Sequence, residues 1–218
     1  MDVTKKDLEL INQLSLTELK AEEVYAFRVV CCDNLVDRDY EKFSDDALDK
    51  MAELYAGKPI ISDHLPMAKN QAARIFRAQV EAEGDVRRVI GYAYIPRLDS
   101  TKDFIESIDT GLKKEVSVGC CCNRRICSVC GDESGGCGHR PGKVYDGKKC
   151  YRILDGITDV YELSFVAVPA QPGAGVVKSF GGDNADEVRA QGDCGELEAQ
   201  LINVEIENLE REIDNYGN

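Results

Sequence analysis

Seven of the ten cysteines fall between Cys120 and Cys150. A window so rich in thiols must cross-link, bind metal or bury its sulfur atoms, and each choice fixes the chain around it. The start, MDVTKKDLEL, has no apolar stretch of the kind that directs secretion, so a reducing compartment is expected. There, clustered cysteines read as metal ligands before they read as disulfides. Cys127-x-x-Cys130 followed by Cys137-x-His139 supplies four soft donors, and Gly131, Gly135, Gly136 and Gly138 supply the tight turns of a small chelate. The default ion for such a set is tetrahedral Zn²⁺, and a closed four-ligand site is structural rather than catalytic. Cys122 and Cys150 are substitutes for one of the four. The triplet Cys120-Cys121-Cys122 cannot all reach one ion, because adjacent strand residues point to opposite faces, and Cys120 is expected in the core. The plainer alternative is a set of free thiols with adventitious metal.

Outside this window the composition is that of a folded chain. With 218 residues, of which 43% are hydrophobic, there is material for a real core. No apolar run approaches the roughly 18–20 residues that span a bilayer. The net charge of −13 argues against nucleic acid or an anionic membrane as the main partner. That charge is uneven: residues 181–218 carry 11 acidic and 2 basic residues, a net of −9, which leaves −4 for residues 1–180. Three segments follow: a polar helical lead-in over 1–22, a body over 23–180 with the cysteine-rich insert at 120–150, and an acidic linker and tail over 181–218. In the tail, Ala199, Ile202, Ile206, Leu209, Ile213 and Tyr216 form a short heptad-like stripe. It reads either as a frayed amphipathic terminus or as a docking or self-association helix.

The body reads as mostly strand. Val24–Cys32 is β-rich. Ser44 caps a helix whose apolar positions are Leu48, Met51, Ala52 and Tyr55, with Gly57 and Pro59 as the stop. Pro59–Asp63 is a short strand ending at His64. Phe76–Ala82 and Arg88–Ile95 flank a Gly84–Asp85 turn and form a hairpin. Ser100 with Asp103 starts another helix. Lys114–Cys120 and Asp159–Val168 are strands on either side of the insert. The expected class is α+β, as a mainly antiparallel β-barrel with helices outside.

Only two histidines are present. His139 lies among the cysteines, which leaves His64, at the end of an apolar strand, for any histidine-dependent chemistry. Taken alone, a histidine there is more often structural. Ser117 shares a strand face with Gly119, which leaves open space over its hydroxyl. Glu162 lies on a face with Val160, Ser164 and Val166, and a carboxylate among apolar neighbours needs a partner. If that partner is His64, then Glu162 fixes the imidazole tautomer, His64 deprotonates Ser117, and Ser117 attacks a carbonyl. If it is Arg74 or Arg77, Glu162 is merely structural.

The order His, Ser, acid, each on its own strand, within GKPIISDHLP, KKEVSVGC and YELSFVAVPAQPGAG, resembles the prohead (capsid maturation) proteases of tailed bacteriophages. Those enzymes are distantly similar to the herpesvirus assemblins, serine peptidases with a Ser-His-His triad on a closed β-barrel wrapped by helices. The resemblance covers roughly residues 24–178. It implies Ser117 as nucleophile, His64 as general base and Glu162 as the third member, so the assemblin pattern is not kept literally. It further implies cleavage of scaffold and major capsid proteins, and of the enzyme itself, inside assembling proheads in the bacterial cytoplasm. Relative to those proteases the cysteine-rich insert looks like an embellishment, and its zinc is expected to pin and stabilise a loop beside the active site without taking part in chemistry. The competing readings are a catalytically silent, zinc-stabilised assembly or scaffolding protein, and a zinc-stabilised binding module without hydrolase chemistry.

Overall fold

The computed structural model describes residues 3–177. The acidic segment 181–218 and its helical stripe lie outside the described residues. The described chain is mixed α+β and mostly strand, in the order α1 (Lys5–Leu14), β1 (Val24–Asp33), β2 (Glu41–Phe43), α2 (Asp45–Leu54), β3 (Pro59–Ser62), β4 (Ala73–Glu83), β5 (Val86–Pro96), α3 (Lys102–Asp109), β6 (Val116–Cys127), β7 (Val144–Tyr145), β8 (Lys148–Lys149), β9 (Arg152–Phe165) and β10 (Gly175–Val177). No helix among the described residues is long and apolar enough to cross a membrane.

The strands run β10-β1-β5-β4-β3-β9, and β9 also pairs with β2 and β6. The expected closed barrel is not found. β10 is three residues long, and the array's ends meet only at an isolated bridge between Glu115 and Gly175. Closure needs a continuous ladder between the first and last strands, and so short a strand cannot supply one. Nor is the sheet wholly antiparallel: β2 and β3 both run parallel to β9.

β9 organises the site. Its N-terminal end pairs with β2 through Arg152–Leu154, and its C-terminal end pairs with β3 through Leu163–Phe165. Along its other edge it pairs with β6, from Val116↔Phe165 to Cys127↔Arg152. β6 is therefore longer than the sequence pattern indicated. The triplet Cys120–Cys122 belongs to the strand, and the loop proper begins only after Cys127, not at Cys120.

The sheet buries both faces. On one lie Val29, Ile60, Ile75, Ala93, Val116, Val160 and Leu163, covered by Leu48 and Met51 of α2 and by Ile105 and Ile108 of α3. Ser44 starts α2 as expected, its hydroxyl accepting from Ala47 N. Gly57 closes the turn after it at φ 84°, a conformation that favours glycine. α3 begins one residue later than expected and has no side-chain cap from Ser100. It docks through Phe104, edge-on to Phe165 with 5.3 Å between ring centroids. On the opposite face Ile11 of α1 packs with Val24, Val30, Phe76, Ile90, Tyr92 and Tyr94, so the polar lead-in is part of the domain.

Candidate active site and candidate metal centre

His64 follows β3 by two residues, at a point where the backbone departs from extended geometry. Asp63 and His64 have φ of 57° and 53°. Two successive non-glycine residues in the left-handed region cost about 1–3 kcal/mol each, and such pairs persist only where surrounding bonds hold them. Here the bonds are Asp63 N–H to Phe165 O at 2.9 Å, Leu65 N–H to Ser62 O at 3.1 Å, and His64 N–H to Ser164 Oγ at 3.0 Å. The turn brings the imidazole back over β9.

There it meets Glu162. His64 Nδ1 lies 2.8 Å from Glu162 Oε1, and Ser164 Oγ donates to Glu162 Oε2 at 2.6 Å. The side chain of Glu162 is 11% exposed and that of His64 is 41% exposed. The carboxylate can only accept, which assigns the proton to Nδ1 and leaves Nε2 with the lone pair. The competing arginines are engaged elsewhere: Arg74 donates to Gly57 O and Gln71 Oε1, and Arg77 pairs with Asp7.

Ser117 stands directly opposite Ser164 across β6 and β9, and Gly119 stands opposite Glu162. Directly opposed residues share a sheet face, so Ser117, Gly119, Glu162 and Ser164 lie together with the imidazole that Glu162 holds. The hydroxyl of Ser117 has no hydrogen-bond partner among the described residues. The space beside Gly119, expected to clear the Ser117 hydroxyl, is filled instead by the Glu162 carboxylate. A β-carbon on Gly119 would fall 3.0 Å from Glu162 Cδ and closer still to Oε1. Ser164 was not among the candidate residues. Its place on the Glu162 face was legible, but its bond to the His64 backbone depends on the β3–β9 pairing.

The second constellation sits at the far end of β6 and β9 from Ser117, ten residues along the strand, and so not beside the candidate active site as expected. The donor atoms of Cys127, Cys130, Cys137 and His139 all lie within 4.8 Å of one another. Three thiols and an imidazole so gathered form a donor set that suits a soft, tetrahedral ion. His139 presents Nδ1, 3.3 Å from Cys130 Sγ and 3.7 Å from Cys127 Sγ. Arg152, which opens β9, donates to Cys137 Sγ at 3.3 Å and to His139 O at 2.6 Å. Beside this arginine the Cys137 thiol titrates below its ordinary value. Burial raises the Cys127 thiol, but N–H donors of Cys130 and Val129 and the neighbouring thiols outweigh that and hold it at about 6. Such groups are predisposed to the thiolate form that binds metal.

Of the two substitutes, Cys150 is fully buried with its Sγ 3.9 Å from Cys127 Sγ, adjacent to the set but outside the mutually close four. Cys122 is not near it. It pairs with Ile157, five residues up the strand from Cys127, about 16 Å away at the rise of a β-strand. It packs instead against the main core, as does Cys120. Nine free cysteines and no disulfide occur among the described residues.

Comparison with known proteins gives no matching family model, no matching curated protein and no matching solved structure.

Proposed function

We propose that the chain is a serine endopeptidase of the kind that matures phage capsids, cleaving scaffold and capsid proteins and itself. The observation that carries this reading is the His64–Glu162 contact, on the sheet face that also bears Ser117. In this reading His64 Nε2 takes the proton of Ser117 Oγ as that oxygen bonds to the scissile carbonyl carbon. The same proton then passes to the leaving amine as the C–N bond breaks. Water, deprotonated by the same nitrogen, then bonds to the acyl carbon, and that proton returns to Ser117 Oγ as the ester C–O bond breaks. Glu162 holds the imidazole in one tautomer and stabilises its cationic form during transfer. Ser164 fixes the carboxylate and the His64 backbone together and touches no reacting atom.

Cys127, Cys130, Cys137 and His139 hold Zn²⁺ in this reading. A closed set of three thiolates and an imidazole supplies fold stability and no open coordination position, so no chemical step passes through it. The insert is an addition to an assemblin-like architecture, and the protein works inside proheads assembling in the bacterial cytoplasm.

A second reading is a catalytically silent assembly or scaffolding protein that keeps this fold. The absence of a hydrogen bond from Ser117 among the described residues favours it. Ser117→Ala separates the two. Scaffold and capsid proteins co-expressed with wild type should be shortened, as read by mass spectrometry, and should stay intact with the variant. Equal processing by both excludes the peptidase.

A further inference from the structure

Among the described residues β6 forms a ladder along one edge, with β9. Beyond the Glu115–Gly175 bridge, its other edge meets no strand among the described residues. Val116 N–H points outward on that edge, to Ala174 O at 3.4 Å. In an alternating ladder Val118 therefore presents its N–H and C=O outward too. A groove of about 340 Å³ runs beside this edge, lined by Ser117, Val118, Cys120 and Arg125 of β6 and by Asp37, Asp39 and Glu41. An unpaired strand edge in a groove is the arrangement by which a sheet takes up an extended peptide as one more strand.

The opposite wall decides what kind of peptide. Glu41 has Arg125 at 3.7 Å, an arginine whose side chain is 62% exposed. Neither Asp37 nor Asp39 has an ion-pair partner among the described residues. Asp37 is held in place by the N–H groups of Asp39 and Glu41, and burial raises the carboxyls of Asp37 and Glu41 above their ordinary values. A cation entering there relieves carboxylates that are partly removed from water. The chain's own segment 181–218, with its net of −9, has the wrong sign for this wall.

We propose that this groove holds an extended peptide as an added strand on β6, with a lysine or arginine of that peptide against Asp37, Asp39 and Glu41. Resting on the peptidase reading, this places the substrate's basic residue on one side of the scissile bond. The span from Ser117 to Cys122 offers six residues of strand to such a peptide. The inference concerns binding, so it is tested separately from cleavage.

The test uses the full chain carrying Ser117→Ala and two fluorescently labelled peptides of alternating valine and threonine, one with two lysines and one with two glutamates. Fluorescence anisotropy should show the lysine peptide binding at least about tenfold tighter. Asp39→Lys with Glu41→Lys should invert that preference. Val118→Pro removes an outward N–H without touching the β9 ladder and should abolish binding of both peptides. Equal affinity for the two peptides, or binding unchanged in Val118→Pro, overturns the inference. So does a dimer that occupies the edge, seen in sedimentation and dissolved by Val118→Pro. Lysine-selective binding without cleavage by wild type would sink the peptidase and keep the groove, whereas cleavage without lysine selectivity would do the reverse.

Discussion

Gly119 and Glu162 face each other across β6 and β9, and the carboxylate of Glu162 occupies the space that a β-carbon on Gly119 would need. The atom that must yield is the end of a flexible side chain, so the sheet can stay intact while the carboxylate swings away. Swinging away breaks the contact with His64 Nδ1 and the bond from Ser164. Gly119→Ala should therefore fold, with a melting temperature within a few degrees of wild type, and, in the peptidase reading, lose activity by about 10²-fold or more, as expected when a catalytic histidine loses its orienting carboxylate. Nitrogen NMR of His64 should show the Nδ1–H tautomer no longer fixed. Full activity in Gly119→Ala would remove Glu162 from the mechanism.

Ser164 is fully buried and joins two parts of the site, accepting from His64 N and donating to Glu162. Ser164→Ala deletes both bonds and leaves the His64 N–H unpaired in a strained turn. The cost of such an orphaned group is about 1–3 kcal/mol, roughly 3–10 °C in melting temperature for a domain of this size. In the peptidase reading Ser164 positions rather than reacts, so kcat should fall while measurable turnover remains. Ser164→Thr, which restores a hydroxyl, should recover part of it. Thermal melts and steady-state kinetics on the same preparations check both halves.

How much of this was legible follows from which contacts are local. The β4–β5 hairpin and the Ser44 cap were readable because alternation, a Gly84–Asp85 turn and a capping serine act within a few residues. His64, Ser117 and Glu162 were readable as candidates because each sits at a strand end or on a defined strand face. What sequence could not supply was pairing. β9 takes β3 in parallel and β6 antiparallel, and those registers bring Ser164 to His64 and Gly119 to Glu162. The extent of β9 was hidden as well. Asp155 and Gly156 interrupt its alternation, with Gly156 at φ 63°, and a β-carbon at Gly156 would collide with Asn123 of β6. That glycine marks a close approach inside the strand rather than its end. The Cys120–Cys122 triplet masked β6 in the same way, because thiols that line a strand look like the start of a metal loop.

The Cys–His cluster and the face that bears Ser117 lie at opposite ends of the same two strands. Cys127 pairs with Arg152 at one end and Ser117 with Ser164 at the other, ten residues apart along β6, about 33 Å at strand rise. A bound ion would fix the loop between β6 and β9 without touching the chemistry. The purified protein should carry one zinc per chain by elemental analysis, and Cys130→Ser should lower that content. Chelation should reduce the melting temperature and increase protease sensitivity of residues 128–150, while kcat of the fraction still folded stays unchanged. A kcat that falls in step with zinc loss at constant fold would assign the ion a role in catalysis.

Acid sensitivity should reside partly in the docking of α1. Asp7 is 5% exposed. Its carboxylate accepts from Arg77 Nε at 2.9 Å and from Thr4 Oγ1 at 2.7 Å. Burial alone would raise this carboxyl, but the bonds from Thr4 and Arg77 outweigh burial and hold it below its ordinary 3.8. A carboxyl depressed on folding contributes stability that is fully present above its unfolded value and is lost as pH falls through the lower folded value. Arg77 also stacks over the Tyr92 ring, 3.2 Å from its centroid, so its guanidinium is held against the sheet face that receives Ile11. Asp7→Asn should thus melt below wild type at neutral pH. That gap should hold steady down to about pH 4 and close below it, as wild-type Asp7 becomes protonated and uncharged like the variant. Thermal melts of both proteins from neutral to strongly acidic buffer give the two curves. A gap that persists unchanged in strong acid would show that Asp7 acts on α1 through its shape rather than its charge.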